Sequence, residues 1–194
     1  MVISLSSLQT QSRKKGWIKL FDGKTLNGWQ VGANASTFKV EDGAIVVNGP
    51  RAHLFYMGPV QNHNFKNFEY KATVMTTPGS NSGMYIHTQY QEDGWPEKGY
   101  EIQVNNSHTD WRRTGSVYGI QDVKEAPAKD NEWFTQLIIV NGNKITVKVN
   151  DKVINEYTVP AEGGKLASGT FALQGHDPKS KVYYKDIMVK PLPD

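Results

Sequence analysis

The chain is cut into short β-type runs by turn residues, and this restricts its fold more than any other feature. From Trp17 onward the runs are 37–47, 68–76, 82–89, 100–105, 116–119, 133–140, 144–149, 153–159, 170–174 and 182–190. Each alternates apolar with polar side chains or is rich in β-branched ones, as half-buried strands require. Asp42-Gly43, within the first run, and Pro78-Gly79, Asn141-Gly142 and Asn150-Asp151, between runs, supply the positive φ or Asx chemistry of tight turns. Asn141-Gly142-Asn143, between two β-rich runs, is the strongest hairpin signal. No stretch of ten residues carries the i, i+3, i+4 apolar stripe of an amphipathic helix. The prediction is an all-β fold, two antiparallel sheets packed face to face as a jelly-roll sandwich. Without internal repeats or a linker, residues 16–194 read as one β-sandwich domain. Residues 1–15 read as a disordered tail or as the remnant of a secretion signal.

Charge and cysteine usage exclude several functions. The net charge of +3 comes from 22 basic and 19 acidic residues. Arg13, Lys14 and Lys15 account for the whole excess, so the body is neutral and unsuited to tracking a phosphate backbone. The absence of cysteine removes disulfides, thiol nucleophiles and thiolate metal sites. No apolar run reaches the ~18 residues of a membrane-spanning helix. No nucleophile elbow, P-loop, dinucleotide fingerprint or HExxH spacing is present.

The segment KGYEIQVNNSH (98–108) alternates strictly, with Tyr100, Ile102 and Val104 against Glu101, Gln103 and Asn105. In the run 82–89, Tyr85, His87 and Gln89 fall on one face. If these two strands are neighbours, two polar rows lie side by side. Glu101 is then the candidate base or metal ligand, since a strand fixes it better than a loop. Its bland alternative is an ion pair on a solvated face. His108 and His176, each just past a strand end, are candidate general bases, an imidazole titrating near pH ~6.5. Asn81 and Tyr118 are expected as hydrogen-bonding rim residues, with Trp95 and Trp111 as stacking surfaces and Arg112 or Arg113 as a grip on a carbonyl or carboxylate oxygen. A hard-ion site from Glu101, Gln103 and loop carbonyls stays open.

WIKLFDGKTLNGW (17–29), NSGMYIH (81–87), GYEIQV (99–104), GSVYG (115–119), NEWF (131–134) and FALQGHDPKSKVYYKDIMVKPL (171–192) occur in this order. Together they resemble the 3-keto-disaccharide hydrolase family, over about residues 17–192. The family usually carries Asp where Asn105 stands and Arg where Lys185 stands. The resemblance implies a concanavalin-A-like jelly roll, a periplasmic or extracellular bacterial setting, a carbohydrate substrate and, as in many such domains, a Ca²⁺ or other divalent ion. It also implies a reaction. A ketone at C3 acidifies the C2 hydrogen, so a base removes that proton and the C1 substituent leaves by elimination; water then adds back. Unlike ordinary glycosidases, such an enzyme needs no pair of carboxyl groups about 5–5.5 or 6.5–9.5 Å apart around C1. It needs one base, stabilisation of the enolate oxygen and an acid for the leaving group. On this reading Asn81, Tyr85, His87, Trp95, Gln103, Asn105, Arg112, Tyr118 and Gln174 contact sugar. The alternative is a non-catalytic carbohydrate-binding module using the same aromatic and carboxamide side chains without a base. An adhesion or scaffold domain, the third reading, calls for an exposed apolar patch.

Overall fold

The computed structural model describes residues 16–165 and 167–194, so the tail expected over 1–15 lies outside the described residues. The described strands form two antiparallel sheets. The larger has the order β11 (Lys152–Thr158), β10 (Lys144–Val149), β9 (Phe134–Asn141), β6 (Phe68–Thr76), β13 (Val182–Pro191), β4 (Ala44–Val47) and β3 (Phe38–Glu41). A short β1 (Ile18–Lys19) also pairs with β13. The smaller sheet runs β2 (Trp29–Val31), β5 (Ala52–Tyr56), β12 (Thr170–Gly175), β7 (Ser82–Thr88) and β8 (Tyr100–Val104). Helical structure among the described residues is limited to two 3₁₀ turns, Ala35–Thr37 and Val60–His63. The predicted sandwich is the observed fold class.

Alternation decides which side chains meet between the sheets. Along β6 every second residue from Phe68 is buried, and Ile102, Val104, Val147, Val149 and Leu173 are buried too. Phe171 of β12 stacks on Tyr70 of β6 at 4.0 Å and 8°, and on Phe65 at 4.4 Å, joining the two sheets. The predicted hairpin is there: Asn141 pairs with Lys144, and Gly142 supplies the positive φ of 61°.

Three expectations fail for physical reasons. The run 116–119 makes isolated bridges at Val117 and no strand, because its loop folds back on itself through Val117 and Gln121. Strand β5 was unforeseen because 52–56, AHLFY, neither alternates nor is rich in β-branched residues. Trp133, the first residue of the predicted run 133–140, lies outside β9 and is 41% exposed, with the Lys185 ammonium 3.9 Å from its ring.

One irregularity shapes the smaller sheet. Thr170 pairs with Thr88 and Ala172 with Tyr85, so two residues of β7, Ile86 and His87, oppose the single Phe171. This is a β-bulge, and His87 adopts the left-handed φ of 51° within it. Gly99 packs on the bulge: a Cβ there would lie 2.2 Å from the Ile86 carbonyl oxygen. The bulge sends the His87 ring to the inner side, against Phe68 at 5.6 Å, and returns Thr88 to the outer face.

Because Phe171 is the stacked bridge between sheets, Phe171→Ala should cost about 3–5 kcal/mol of unfolding free energy in denaturant titrations. A loss below about 1 kcal/mol would show that this stack does not hold the sandwich together.

Candidate functional site

Strands β7 and β8 are neighbours, with Tyr85 directly opposite Glu101. On the other side of β7, β12 brings Gln174, itself opposite His53 of β5. The outer face of the smaller sheet therefore gathers Glu101, Tyr85, Gln174 and His53 from four strands. The Tyr85 hydroxyl donates to Glu101 Oε2 at 2.7 Å, and Gln174 Nε2 donates to Glu101 Oε1 at 2.8 Å. The Gln103 amide, in the orientation its bonds favour, donates to the Ser82 carbonyl at 2.7 Å and to Glu101 Oε1 at 3.2 Å. Room for the carboxylate comes from Gly83, where a Cβ would stand 2.6 Å from Glu101 Oε1. Burial pushes the Glu101 carboxyl up to about 7, against the pull of the Tyr85 and Gln174 hydrogen bonds. Asp110 adds to the rise and Lys165 opposes it.

Loops close this face into a cleft of about 370 Å³, with Glu101, Tyr85 and Gln174 at its base. Its walls are Asn81, Trp95, Pro96, Tyr118, Lys165 and His176. His176 Nδ1 lies 2.7 Å from Asp177 Oδ2, so its proton sits on Nδ1 and leaves Nε2 with a lone pair. Burial would raise the Asp177 carboxyl, but hydrogen bonds from His176, Ser180 and the Lys179 amide hold it down at about 2. Trp95 is 44% exposed and its ring lies 5.7 Å from His53 and 5.4 Å from His176. His53 is buried; that burial, helped by Arg51, pushes its pKa down to about 4 and keeps it neutral. Two buried polar atoms here, His53 Nε2 and Gln174 Oε1, have no protein partner.

Of the residues expected to act, the cleft brings together Glu101, His176, Asn81, Tyr85, Trp95, Tyr118 and Gln174. The others lie elsewhere. His87 points inward at the bulge, its Nε2 2.9 Å from the Lys66 carbonyl. Gln103 is fully buried beside Glu101 and supports it. Asn105 is also fully buried; its amide donates to the Asp110 and Arg112 carbonyls and accepts from the His108 amide and Arg113, organising its own loop. Arg112 is taken by Asp122 and Asp110 at 3.1 and 3.4 Å, with its guanidinium over the Tyr118 ring. His108 sits beside His176, ring centroids 5.3 Å apart, and its Nδ1 accepts from the Asp110 amide. Burial and the neighbouring His176 lower its pKa. Sequence reasoning missed Lys165, His53 and Asp177. Adjacency to His176 could have pointed to Asp177; nothing local marks the other two.

A hard-ion site at Glu101 and Gln103 does not fit, because Oε1 already takes two hydrogen bonds and Oε2 one, which leaves a single lone pair on Oε2, room for a proton and not a ligand set for a cation. Among the described residues, His108, His176 and Asp177 have ligand atoms within 4.8 Å of one another. There the Asp177 oxygens already take four hydrogen bonds and His108 Nδ1 takes the Asp110 amide. That donor set serves proton transfer at His176 Nε2 better than it serves a cation.

Residues 16–190 match the model of the 3-keto-alpha-glucoside-1,2-lyase-like domain. A 3-keto-disaccharide hydrolase of Bacteroides thetaiotaomicron is 30% identical over 182 aligned residues, covering 79% of this chain and 62% of that protein. The chain thus spans less than two thirds of that relative's length. A crystallised Parabacteroides distasonis protein, provisionally assigned as a glycosyl hydrolase, superposes with a TM-score of 0.79 at 23% identity, covering 96% of this chain and 99% of that one. A carbohydrate-binding module from Bacillus subtilis superposes with a TM-score of 0.59 at 10% identity, covering 84% and 95%. At such identities these two likenesses concern the fold.

The raised Glu101 pKa has a stability consequence with a definite sign. Between the carboxyl's ordinary 4.5 and its folded value of about 7, the unfolded chain releases a proton that the folded one keeps. Folding stability should therefore fall as pH rises through this window and level off above it. Relative to Glu101→Gln, the wild type should lose up to about 3 kcal/mol between pH ~4 and ~8 in urea titrations. A pH-independent difference would show that the carboxyl titrates normally.

Proposed function

Because the chain belongs to the 3-keto-alpha-glucoside-1,2-lyase-like family, we propose that it cleaves the glycosidic bond of a 3-keto sugar by proton abstraction and elimination. The observation that carries this reading is Glu101: a desolvated carboxyl held near neutrality, at the base of a cleft that also presents a His–Asp pair and a lysine. A general base works best when its pKa lies near the working pH. Glu101 takes the C2 proton. The C2–H electron pair moves into the C2–C3 bond as the ketone oxygen becomes an enolate. Lys165, the one cation among the residues lining the cleft, is the group that offsets the new negative charge, since the Tyr118 hydroxyl already donates to Asp110. When the enolate re-forms the ketone, the C1–O bond breaks, leaving a C1–C2 double bond. His176, protonated on Nε2 and steadied by Asp177, delivers the proton that the departing oxygen needs. Addition of water across the double bond then completes a net hydrolysis.

The unpartnered atoms Gln174 Oε1, an acceptor, and His53 Nε2 suit sugar hydroxyls, since buried polar groups seldom stay unpaired. Trp95 offers a face for ring stacking. We place the protein in the periplasm or outside the cell, as the family resemblance implies. Likeness to a carbohydrate-binding module supports the non-catalytic reading, in which Glu101 would only bind. A binding module gains nothing from burying a carboxyl until it titrates near neutrality, which favours the enzyme.

The test is release of aglycone from a 3-keto-glucoside. Glu101→Gln should lower kcat by about 10²–10⁴-fold, the usual scale for a lost acid–base group. In the wild type, kcat/KM should rise with pH through about 7 as Glu101 ionises. Lys165→Met should lower kcat and move that rise to higher pH, because Lys165 now draws the Glu101 carboxyl down. Sugar binding without turnover, across several aglycones, would leave the binding module as the correct reading.

A further inference from the structure

Lys165 enters the cleft from a segment with little else to hold it. Between β11 and β12, residues 160–165 are exposed, and the segment is pinned at its two ends. At one end the Val159 amide donates to the Asn143 carbonyl at 2.7 Å. At the other, Phe65 and Gly169 exchange backbone hydrogen bonds of 2.7 and 3.1 Å. Among the described residues between these ends, a single hydrogen bond ties the segment to the rest of the protein: the Lys165 amide donates to the Tyr100 hydroxyl at 3.0 Å. The segment also lines a second cavity of about 370 Å³, together with Tyr100, Val140 and Ile145, so little packing presses it down. Lys165 borders both this cavity and the catalytic cleft.

Tyr100 makes a rigid support for such a segment. On β8 its ring joins the core, while the next residue, Glu101, faces the cleft. Strand β8 is the last of the smaller sheet, so this inward ring reaches beyond the sheet edge to the segment. The ring is buried, with the Tyr157 ring 6.3 Å away, which leaves the hydroxyl little freedom. The Lys165 ammonium lies 5.7 Å from the centre of the same ring, within cation–π range. Amide and ammonium of the one lysine therefore both lean on Tyr100. Gly164 allows the approach: a Cβ there would stand 2.8 Å from Val159 Cγ1 and 3.1 Å from the Pro160 carbonyl oxygen.

We propose that Tyr100 is a positioning residue, whose hydroxyl holds the segment so that the Lys165 ammonium stands at a fixed place in the cleft relative to Glu101. The inference rests on the role given above to Lys165 in the elimination. A charge that stabilises an enolate must be in place before the enolate forms, and its effect falls with distance. One strand then sets both partners of the reaction: β8 carries the base on its outer face and, through the inward Tyr100, anchors the cation. Because the bond is made by the Lys165 backbone, replacing the lysine side chain keeps the anchor, whereas removing the hydroxyl keeps the lysine and loses the anchor. The two contributions can therefore be separated.

The experiment is Tyr100→Phe in the full chain, which keeps the ring and removes only the acceptor. Its first readout needs no turnover: a carbon-13 NMR titration of the Glu101 carboxyl, whose resonance is identified by its loss in Glu101→Gln. The titratable groups that act on Glu101 or share its cleft are Tyr85, Tyr118, Tyr184, Asp110, His176 and Lys165. Burial raises this carboxyl and Lys165 draws it down, so Tyr100→Phe should move its titration to higher pH, as Lys165→Met should. Combining the two should move it no further, because the hydroxyl acts only through the lysine. In turnover, Tyr100→Phe should lower kcat and kcat/KM together, by up to about 10²-fold, the scale of a misplaced group. If melting curves show that Tyr100→Phe does not fold, Gly164→Val, which lifts the segment from outside the core, should give the same shift. A Glu101 titration unchanged in these variants, or an effect that adds to that of Lys165→Met, would overturn the proposal. Titrations that behave as expected in a protein that turns over no 3-keto-glucoside would sink the elimination mechanism and leave the positioning role standing.

Discussion

The arrangement of this site depends on one carboxylate set down on a sheet where a Cβ is missing. Glu101 lies across Gly83, and any larger residue there would collide with it. Tyr85, Gln174 and Gln103 supply hydrogen bonds from three directions. Those bonds alone would make an ordinary, strongly acidic carboxyl, as charge-assisted bonds to an ionised group do. Burial by the surrounding loops outweighs them, and the balance falls near neutrality. The sheet thus fixes position and the loops fix acidity. Removing either would leave a carboxylate that is well placed but too weak a base, or basic but mobile.

The bulge in β7 follows from the same demand on space. An uninterrupted strand would carry His87 and Gln89 on the outer face with Tyr85. The extra residue turns His87 inward against Phe68 and leaves Thr88 outside instead. An imidazole next to the apolar ridge of Phe55 and Ala172 is thereby replaced by a small hydroxyl, which opens the outer face beyond the cleft. Bulges re-aim side chains beside functional sites, and this one sets the boundary between the cleft and the rest of the face.

Much of the fold was legible because alternation and turn chemistry are local. The spans of β6 and β10 follow from their patterns without adjustment, and the β9–β10 turn follows from Asn141-Gly142. Strand β5 was not legible, since AHLFY (52–56) shows neither alternation nor β-branched residues. With β5 hidden, so was His53, whose place beside Gln174 depends on a pairing 121 positions along the chain. Alternation correctly put Glu101 and Tyr85 on one face, yet it also offered Gln103 and Asn105, which loop packing has buried. Period two names a face of the sheet; it does not say which part of that face the loops leave open.

Loop chemistry also explains why His176 and His108, alike in sequence, differ in what they can do. Both follow strands and both are half-buried, with rings 5.3 Å apart. His176 meets a carboxylate at Nδ1, so its proton is held there and Nε2 faces the cleft as an acceptor. A proton arriving at Nε2 makes an imidazolium that Asp177 directly stabilises. His108 meets a backbone N–H at Nδ1, which forces its own proton onto Nε2. A second proton on His108 would have to displace that amide and would sit beside His176 without a carboxylate bonded to it. Of the two, only His176 can therefore accept and return a proton without breaking its own loop. What distinguishes them is whether an oxygen or an N–H stands at Nδ1, and only the folded loops decide that.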